Sequence, residues 1–317
     1  MIFERVIIGC DQLGDSDWGE SKIESTMEAI NYAVESGFKK FDTADVYGLG
    51  ASEIRLGCLL FNKKKEFEIT TKIGVKWKVS SDSIRAITNH EDDPKYLDIA
   101  LRKSLSRLKG LPLNRVLLHW PQTSKGLEKA LETIKNFKLE GQIKEYGFCN
   151  FDNEITKFLS KNGSNHEITY QTNFNLLLDK DKYINKITNL VNKVMVYGIF
   201  AQGILAWSGY KFKNQQHSDR RERLNIYNYK NKDLINQTLL EVGKIAKDYK
   251  VENSTLILYC TLKVLNKADI IVGVRSRSHI DSILKIEDLK IEDSDLEYLI
   301  KILKNLGKKL NLTNAYI

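Results

Sequence analysis

The chain has few of the residues that interrupt or cross-link a fold. Its 317 residues include three prolines and four cysteines. The cysteines are isolated from one another, at Cys10, Cys58, Cys149 and Cys260. No Cys-x-x-Cys or Cys/His ligand spacing occurs, so neither a disulfide framework nor a metal site such as zinc is expected. This cysteine usage indicates a reduced, cytoplasmic setting.

Long apolar runs are also missing. No window approaches the roughly 18 uninterrupted apolar residues of a membrane-spanning helix, so no membrane partner is expected. The first residues, MIFERVIIGCDQLG, carry charge early and are unlike a signal peptide. The net charge of +8 comes from 49 basic and 41 acidic residues. It is spread along the chain, which indicates solvated faces rather than a nucleic-acid surface.

The chain does contain a regular alternation of short apolar strands and amphipathic helices. The predicted strands are Val6–Gly9, Lys40–Asp42, Phe67–Thr71, Val116–Leu118, Ile143–Gly147, Ile168–Thr172, Val194–Phe200 and Ile270–Val272. Strands that are apolar on both faces indicate a parallel sheet covered by helices. Eight such units favour an α/β fold, a (β/α)8 TIM barrel, as a single domain over residues 1–317. The alternative is an open doubly wound sheet, but no G-x-G-x-x-G turn follows the first strand.

Helical periodicity and polar composition divide the rest of the chain. The predicted helices are Lys22–Glu35, Lys95–Lys109, Leu127–Leu139, Asp152–Ser160, Lys182–Val191, Leu234–Tyr249, Ser254–Leu265, His279–Leu284 and Leu296–Leu306. A further helix is predicted to begin at Ser52, with that serine as its N-cap and Glu53 in its first turn. The polar segments 75–93 and 211–232 are expected to be loops.

Polar side chains gather at the carboxyl ends of neighbouring predicted strands. Asp42 ends the second strand, Lys72 the third and His119 the fourth, and Tyr47 lies in the loop after the second. Each has a structural interpretation of its own, as a turn cap, a surface lysine, a rim histidine or a cover for apolar surface. In a barrel, however, these positions surround one pocket. We therefore expect the four side chains to form one site.

Several motifs resemble those of the aldo-keto reductase family. They are FDTADVYGLGASEIRLG, the TTK that ends at Lys72, LLHWP and IKEYGFCNF, and the similarity runs from about residue 5 to about residue 290. The resemblance implies a (β/α)8 barrel that binds a nicotinamide cofactor in extended form. It also implies a catalytic tetrad of Asp42, Tyr47, Lys72 and His119.

The chemistry of these residue types fits carbonyl reduction. A free phenol titrates near pH ~10, and a neighbouring ammonium group lowers that pKa. We therefore expect Lys72, held by Asp42, to lower the pKa of Tyr47. Tyr47 then protonates the substrate oxygen, and His119 donates a hydrogen bond to it. The hydride chemistry belongs to the cofactor.

The resemblance also implies a cofactor site. Asn150 and Gln171 match residues that bind the nicotinamide carboxamide, whereas Cys149 replaces a serine there. Tyr197 matches an aromatic residue that stacks on nicotinamide. Near the phosphates the candidates are Gly203, Gly273, Arg275, Arg277 and His279, the last in place of an arginine. The two arginines favour NADP(H) over NAD(H).

The substrate is less well indicated. Trp18 and Trp120 are candidates for the substrate pocket, and aromatic walls accept a sugar face or an apolar aldehyde equally well. The first functional hypothesis is an NAD(P)H-dependent reductase of a small-molecule carbonyl compound, an aldehyde, ketone or sugar, acting as a monomer or weak oligomer. The alternative is a cofactor-binding regulatory or accessory subunit. A third, an unrelated barrel enzyme, would need paired carboxylates, a metal cluster or a nucleophile–base pair at the strand ends.

Overall fold

A closed barrel of eight parallel strands forms the centre of the computed structural model, which describes residues 2–14, 23–63, 66–78, 87–150, 157–159, 165–179, 184–207 and 225–312. The strands are Val6–Gly9 (β1), Lys40–Asp42 (β2), Glu68–Ile73 (β3), Val75–Lys78 (β4), Ile87–His90 (β5), Leu113–Leu118 (β6), Ile143–Cys149 (β7), Asn165–Asn173 (β8), Val191–Tyr197 (β9) and Ala268–Gly273 (β10). The barrel order is β1-β10-β9-β8-β7-β6-β3-β2. The predicted (β/α)8 TIM barrel is confirmed.

Helices cover the outside of the barrel. They are Ile23–Glu35 (α1), Ala51–Leu60 (α2), Pro94–Arg107 (α3), Ser124–Leu139 (α4), Asn185–Thr188 (α5), Lys232–Asp248 (α6), Asn253–Val264 (α7), Arg277–Leu284 (α8) and Asp293–Lys309 (α9). Short 3-10 helices span Ile2–Arg5, Asp11–Gly14, Tyr47–Gly50, Ala201–Ala206, Asn225–Tyr227 and Tyr229–Asn231. Within the described residues, no helix is both long and apolar enough to cross a membrane.

The barrel interior is partly polar. Ile7, Met195 and Ile271 form a small apolar cluster of their own inside the barrel. Arg115 on β6 is almost fully buried, and its guanidinium donates to Glu145 at 2.8 Å and to Thr70 at 3.0 Å. A buried charge is tolerated only when it is paired and hydrogen-bonded, as Arg115 is.

Two of the helices begin with a side-chain cap. Asp93 precedes α3, and its carboxylate accepts a 3.0 Å hydrogen bond from the Tyr96 backbone N–H. Thr123 precedes α4 and accepts from the Gly126 N–H at 3.0 Å. Such side-chain caps satisfy backbone donors that the first helical turn leaves unpaired.

The predicted N-cap of α2 is wrong. The helix begins at Ala51, after Gly50 in a left-handed conformation with φ of 93°. Ser52 therefore lies inside the first turn, and its hydroxyl donates to the Cys10 carbonyl at 2.7 Å. The Ser52 side chain ties α2 to the end of β1 instead of capping its own helix.

The segment 75–93, predicted to be a loop, contains an antiparallel hairpin of β4 and β5 outside the barrel. Every residue of β5 is exposed, and only Val75 of β4 is buried. The hairpin therefore lacks the apolar run that reveals a buried strand. The predicted helix 152–160 and the polar segment 211–232 lie largely outside the described residues. Their described ends are helical at 157–159 and form two 3-10 turns between 225 and 231.

Candidate active site

Three members of the predicted tetrad meet around one buried ammonium group. Lys72 Nζ lies 2.5 Å from Asp42 Oδ1, 2.9 Å from the Thr43 carbonyl and 3.1 Å from the Tyr47 hydroxyl. Strand β3 continues to Ile73, one residue beyond Lys72, so this lysine is inside the strand. Its side chain is 1% exposed, which excludes the interpretation as a surface lysine.

The surroundings keep this lysine charged. Burial by itself lowers the pKa of Lys72, but Asp42 and Tyr47 both raise it, and the net direction is upward. Asp42 is held from its other side as well, because Gln171 Nε2 donates to Asp42 Oδ2 at 2.8 Å. The carboxylate thus accepts one hydrogen bond on each oxygen, which fixes its orientation beside Lys72.

The net effect on Tyr47 is opposite to the expected one. Burial raises the pKa of the Tyr47 hydroxyl above its ordinary value of ~10. Lys72 lowers this pKa, as expected, whereas Asp11 and Asp42 raise it further. The desolvation of the phenol outweighs the nearby ammonium group, so Tyr47 keeps its proton at neutral pH.

His119 and Trp120 form an aromatic wall beside Tyr47. His119 directly follows β6, and its backbone N–H donates to the Ile73 carbonyl at 2.8 Å. The His119 ring meets the Tyr47 ring edge to face, with centroids 5.8 Å apart. Trp120 stacks on His119 at 6.0 Å and on His90 at 5.8 Å. His90 comes from the hairpin, and sequence reasoning missed it because that segment was expected to be a loop.

The predicted carboxamide-binding residues are connected to the tetrad. Asn150 Nδ2 donates to the His119 carbonyl at 3.1 Å, and the Tyr197 hydroxyl donates to Asn150 Oδ1 at 2.8 Å. Asn150 adopts a left-handed backbone conformation with φ of 57°, which is uncommon outside glycine and is found often at functional sites. Cys149 is fully buried, and burial raises the pKa of its thiol. Its placement fits a packing residue.

One cavity of about 1190 Å³ connects these groups. The residues predicted for the site that line it are Asp42, Tyr47, His119, Trp120, Asn150, Gln171, Tyr197, Gly203, Gly273, Arg275 and His279. Lining residues that sequence reasoning missed include Asp11, Gln12, His90 and Glu252. Trp18 lies outside the described residues.

The far end of the cavity carries charges of both signs. Arg275 lines it, and the Arg275 backbone N–H donates to His279 Nδ1 at 3.1 Å. Burial, followed by the charge of Arg275, lowers the pKa of His279, while Glu252 raises it. The imidazole is therefore neutral at neutral pH. Glu252 accepts from the Ser282 hydroxyl at 2.8 Å.

Arg277 is placed differently from Arg275. Its guanidinium carbon lies 4.3 Å from the centroid of the Tyr32 ring, where α1 and α8 meet. The Tyr32 hydroxyl in turn donates to Asp281 Oδ1 at 2.8 Å. Of the two arginines predicted to bind phosphate, one thus lines the cavity and the other packs on a neighbouring helix.

The cavity is large and presents polar and charged groups to a ligand. At Gly273 a Cβ atom would lie 2.9 Å from Gln12 Oε1, so a larger residue there would require the Gln12 side chain to move. Among the residues that the structure describes, Gln12 Oε1 is buried without a hydrogen-bond partner. A cationic side chain at one end and amides at the other match the phosphate and carboxamide groups of a nicotinamide dinucleotide.

Comparison with known proteins agrees with this fold. The sequence pattern of the Aldo/keto reductase family matches residues 5–304. Aldo-keto reductase YhdN of Bacillus subtilis is 23% identical over 315 residues, which cover 95% of this chain and 90% of the relative. The structure of glycerol dehydrogenase AKR11B4 from Gluconobacter oxydans superposes with a TM-score of 0.82 at 20% identity, covering 95% of this chain and 91% of the other.

Structures with bound cofactor are also similar in fold. An aldo/keto reductase from Klebsiella pneumoniae in complex with NADP and acetate has a TM-score of 0.67 at 17% identity, with 95% of this chain and 91% of that chain covered. Since the family pattern matches nearly the whole chain, from before β1 to within α9, this protein is a member of the aldo/keto reductase family, a family of oxidoreductases.

Proposed function

We propose that the protein interconverts a carbonyl compound and its alcohol with a nicotinamide cofactor, through Tyr47, Lys72, Asp42 and His119. The observation that carries this proposal is the position of Lys72 Nζ, which bridges Asp42 Oδ1 at 2.5 Å and the Tyr47 hydroxyl at 3.1 Å. A buried, charged lysine in contact with a protonated phenol is suited to proton transfer at an oxygen.

Tyr47 is the proposed proton donor. A nicotinamide cofactor, when bound, would provide the hydride chemistry at the carbonyl carbon. Tyr47 would give its proton to the carbonyl oxygen, which yields the alcohol. Because burial raises the pKa of Tyr47, the group stays protonated until charge develops on the substrate oxygen. Lys72 stabilises the phenolate that remains, and Asp42 keeps the ammonium group oriented.

His119 is the proposed hydrogen-bond donor to the same oxygen. It lies edge to face with Tyr47, so both side chains reach the same part of the cavity. Trp120, stacked on His119, forms a wall of the proposed substrate pocket. Two hydrogen-bond donors that reach one oxygen are typical of sites that polarise a carbonyl group.

We further propose that Asn150 and Gln171 hold the carboxamide, that Tyr197 stacks on the nicotinamide, and that Gly203 and Gly273 lie near the phosphates. Arg275 is the proposed ligand of a 2′-phosphate, which favours NADP(H) over NAD(H). Glu252 lies at the same end of the cavity and reduces its positive charge, so the expected preference is modest. Solved relatives that contain NADPH or NADP support a nicotinamide cofactor.

The test combines cofactor binding and turnover. The purified protein is titrated with NADPH and with NADH by fluorescence, and a carbonyl panel is then followed by loss of the reduced-nicotinamide absorbance. Tyr47→Phe should bind NADPH as wild type does and lose at least about a hundredfold in kcat, as expected for a removed general acid. Full kcat in that variant would disprove the role of Tyr47, and binding without any turnover would favour the accessory-subunit alternative.

A single domain over residues 1–317, a cytoplasmic location and a monomeric or weakly oligomeric state stay predictions.

A further inference from the structure

Asp11 is an acidic residue in the cavity wall beside the proposed proton donor. It is the first residue of the 3-10 helix Asp11–Gly14, which is separated from β1 by Cys10 alone. Its side chain is partly exposed and lines the cavity. Among acidic side chains it has the largest electrostatic effect on Tyr47, ahead of Asp42. Asp11 and Tyr47 therefore line the same cavity, and the charge of Asp11 acts on the Tyr47 hydroxyl.

The turn that carries Asp11 is held firmly at both ends. On one side, the Cys10 N–H donates to the Asp42 carbonyl at 2.8 Å, and the Ser52 hydroxyl donates to the Cys10 carbonyl at 2.7 Å. On the other side, Arg55 donates to the Leu13 carbonyl. The position of the Asp11 backbone is thus set by its neighbours and does not depend on a bound ligand.

Two glycines bring this turn against the turn of Tyr47. A Cβ atom at Gly14 would lie 2.6 Å from the backbone nitrogen of Gly48, so the two chains meet at a distance that only glycine allows. Gly48 also has a left-handed φ of 56°. Because Gly48 follows Tyr47 directly, this contact couples the positions of Asp11 and Tyr47. Such preorganisation is what a recognition group needs.

The carboxylates of the cavity differ in their surroundings. Both oxygens of Asp42 accept hydrogen bonds within the site, from Lys72 and Gln171. Glu252 lies at the opposite end of the cavity, beside His279. Within the part of the chain that the structure describes, Asp11 is the other carboxylate that lines the cavity, and it does not belong to the tetrad.

We propose that Asp11 binds the substrate, by accepting a hydrogen bond from a hydroxyl group next to the reacting carbonyl. The substrate class is then a hydroxylated aldehyde or ketone, or the corresponding polyol in the reverse direction. This inference rests on the proposed function and decides between the sugar face and the apolar aldehyde that aromatic walls alone leave open.

The chemistry of a carboxylate supports this substrate class. An ionised carboxylate only accepts hydrogen bonds, and its bonds with hydroxyl donors are short and strong. An apolar substrate would cover the Asp11 carboxylate without offering it a hydrogen bond, which is unfavourable. An anionic substrate would be repelled by the like charge. The flat surface of Trp120 can still pack on the carbon face of a polyol.

The test compares short aldehydes at one pH with NADPH. Glyceraldehyde and propionaldehyde have the same carbon chain with and without hydroxyl groups, and succinic semialdehyde adds a negative charge. Wild type should have the highest kcat/KM for glyceraldehyde. Asp11→Asn and Asp11→Ala should lower the ratio of glyceraldehyde to propionaldehyde by about tenfold or more, the value of a charge-assisted hydrogen bond. Asp233→Asn, an exposed carboxylate on α6, is the matched control and should leave the ratio unchanged.

The ratio separates recognition from an indirect effect. Asp11 also raises the pKa of Tyr47, but the same proton donor serves every substrate, so that effect cancels between glyceraldehyde and propionaldehyde. Equal losses for both substrates in the Asp11 variants would overturn the proposal. So would a wild-type preference for propionaldehyde or for succinic semialdehyde.

A binding experiment keeps the proposal independent of turnover. If NADPH binds but no aldehyde is reduced, the proposed function fails, and Asp11 is then tested by titrating the NADPH complex with glycerol, the product alcohol of glyceraldehyde. Weaker glycerol binding in Asp11→Ala than in wild type, with Asp233→Asn unchanged, would support recognition of hydroxyl groups. Equal glycerol binding in all three proteins would overturn it.

Discussion

Lys72 and Asp42 form a buried ion pair, with Nζ and Oδ1 2.5 Å apart and side chains that are 1% and 5% exposed. The pair joins adjacent strands, since Lys72 follows the register partner of Asp42 on β3 by two residues. Removing one partner of such a pair leaves an uncompensated charge in the interior, which is strongly destabilising. The pair is therefore both part of the proposed chemistry and a condition for the fold around it.

The first prediction concerns this pair. Asp42→Asn should lower the free energy of unfolding by about 3 kcal/mol, because the Lys72 charge loses its counter-ion in a dry environment. Equilibrium denaturation in urea measures the change. Asp98→Asn is the matched control, because Asp98 pairs with Arg102 on the surface, and such an exposed pair contributes at most about 0.5 kcal/mol. Similar losses of unfolding free energy in Asp42→Asn and Asp98→Asn would show that the buried pair stabilises the fold no more than the exposed pair does.

The second prediction concerns the ionisation of Tyr47. Burial raises the pKa of this hydroxyl and Lys72 opposes the rise, so the proton is lost only when the pH rises above the ordinary tyrosine value of ~10. The phenolate absorbance of wild type minus that of Tyr47→Phe, recorded without cofactor, should therefore show no titration near neutral pH. A phenolate signal around pH ~7–8 would mean that Lys72 dominates over burial.

The third prediction concerns Asp45, two residues before Tyr47. Its side chain is fully buried, and burial, followed by the charge of Glu53, raises the pKa of this carboxyl well above its ordinary value. The pKa of Asp45 is higher in the folded than in the unfolded state. The neutral carboxyl therefore contributes its full stabilisation below the unfolded pKa of ~3.9, and this stabilisation is lost as the pH rises through the folded-state pKa.

Asp45→Asn should consequently be more stable than wild type at about pH 8, by on the order of 1 kcal/mol or more, and should show no such advantage near pH ~3. Urea denaturation of both proteins across this pH range measures the difference. Glu53→Gln should be destabilised instead, since Arg107 would lose the partner that lies 2.6 Å from its Nε. An equal stability difference between wild type and Asp45→Asn at both pH values would contradict the neutral state of Asp45.

The fourth prediction concerns cofactor choice. Arg275→Ala should weaken NADPH binding by about tenfold and leave NADH binding nearly unchanged, because a charge-assisted contact to a 2′-phosphate is lost. Arg277→Ala is the control within the same turn, since Arg277 packs on Tyr32. It should change neither affinity by more than about twofold. Fluorescence titration with both cofactors gives the comparison, and equal losses of NADPH and NADH in Arg275→Ala would rule out the phosphate contact.

The burial of the strands explains which of them could be predicted from the sequence. The barrel strands are buried on both sides and appear in the sequence as short apolar runs, so all eight were placed correctly to within a few residues. The hairpin of β4 and β5 is mostly exposed, and no apolar run distinguishes it from a loop. The error at Ser52 arose because a serine near a helix start has two uses, as a cap or as a side-chain link to another strand.

The candidate site shows the same division. The four tetrad residues occupy strand ends or the loop after one, so a barrel brings them together whatever the side-chain details. The balance of effects on Tyr47 could not be predicted, because it depends on how deeply the phenol is buried. Glu252 and Ser282 are 30 positions apart in the chain, and only the packing of α7 beside α8 joins them.

The sequence by itself determined the barrel and the grouping of the four proposed site residues at one end of it, because apolar periodicity and the position of polar residues at strand ends are local properties of the chain. Tertiary structure alone decided that Arg275 lines the cavity while Arg277 packs on Tyr32. It also decided that Asp11 lies beside Tyr47, through a contact between two glycine-containing turns. Side-chain direction, burial and charge balance come from contacts between distant segments, and no local pattern contains them.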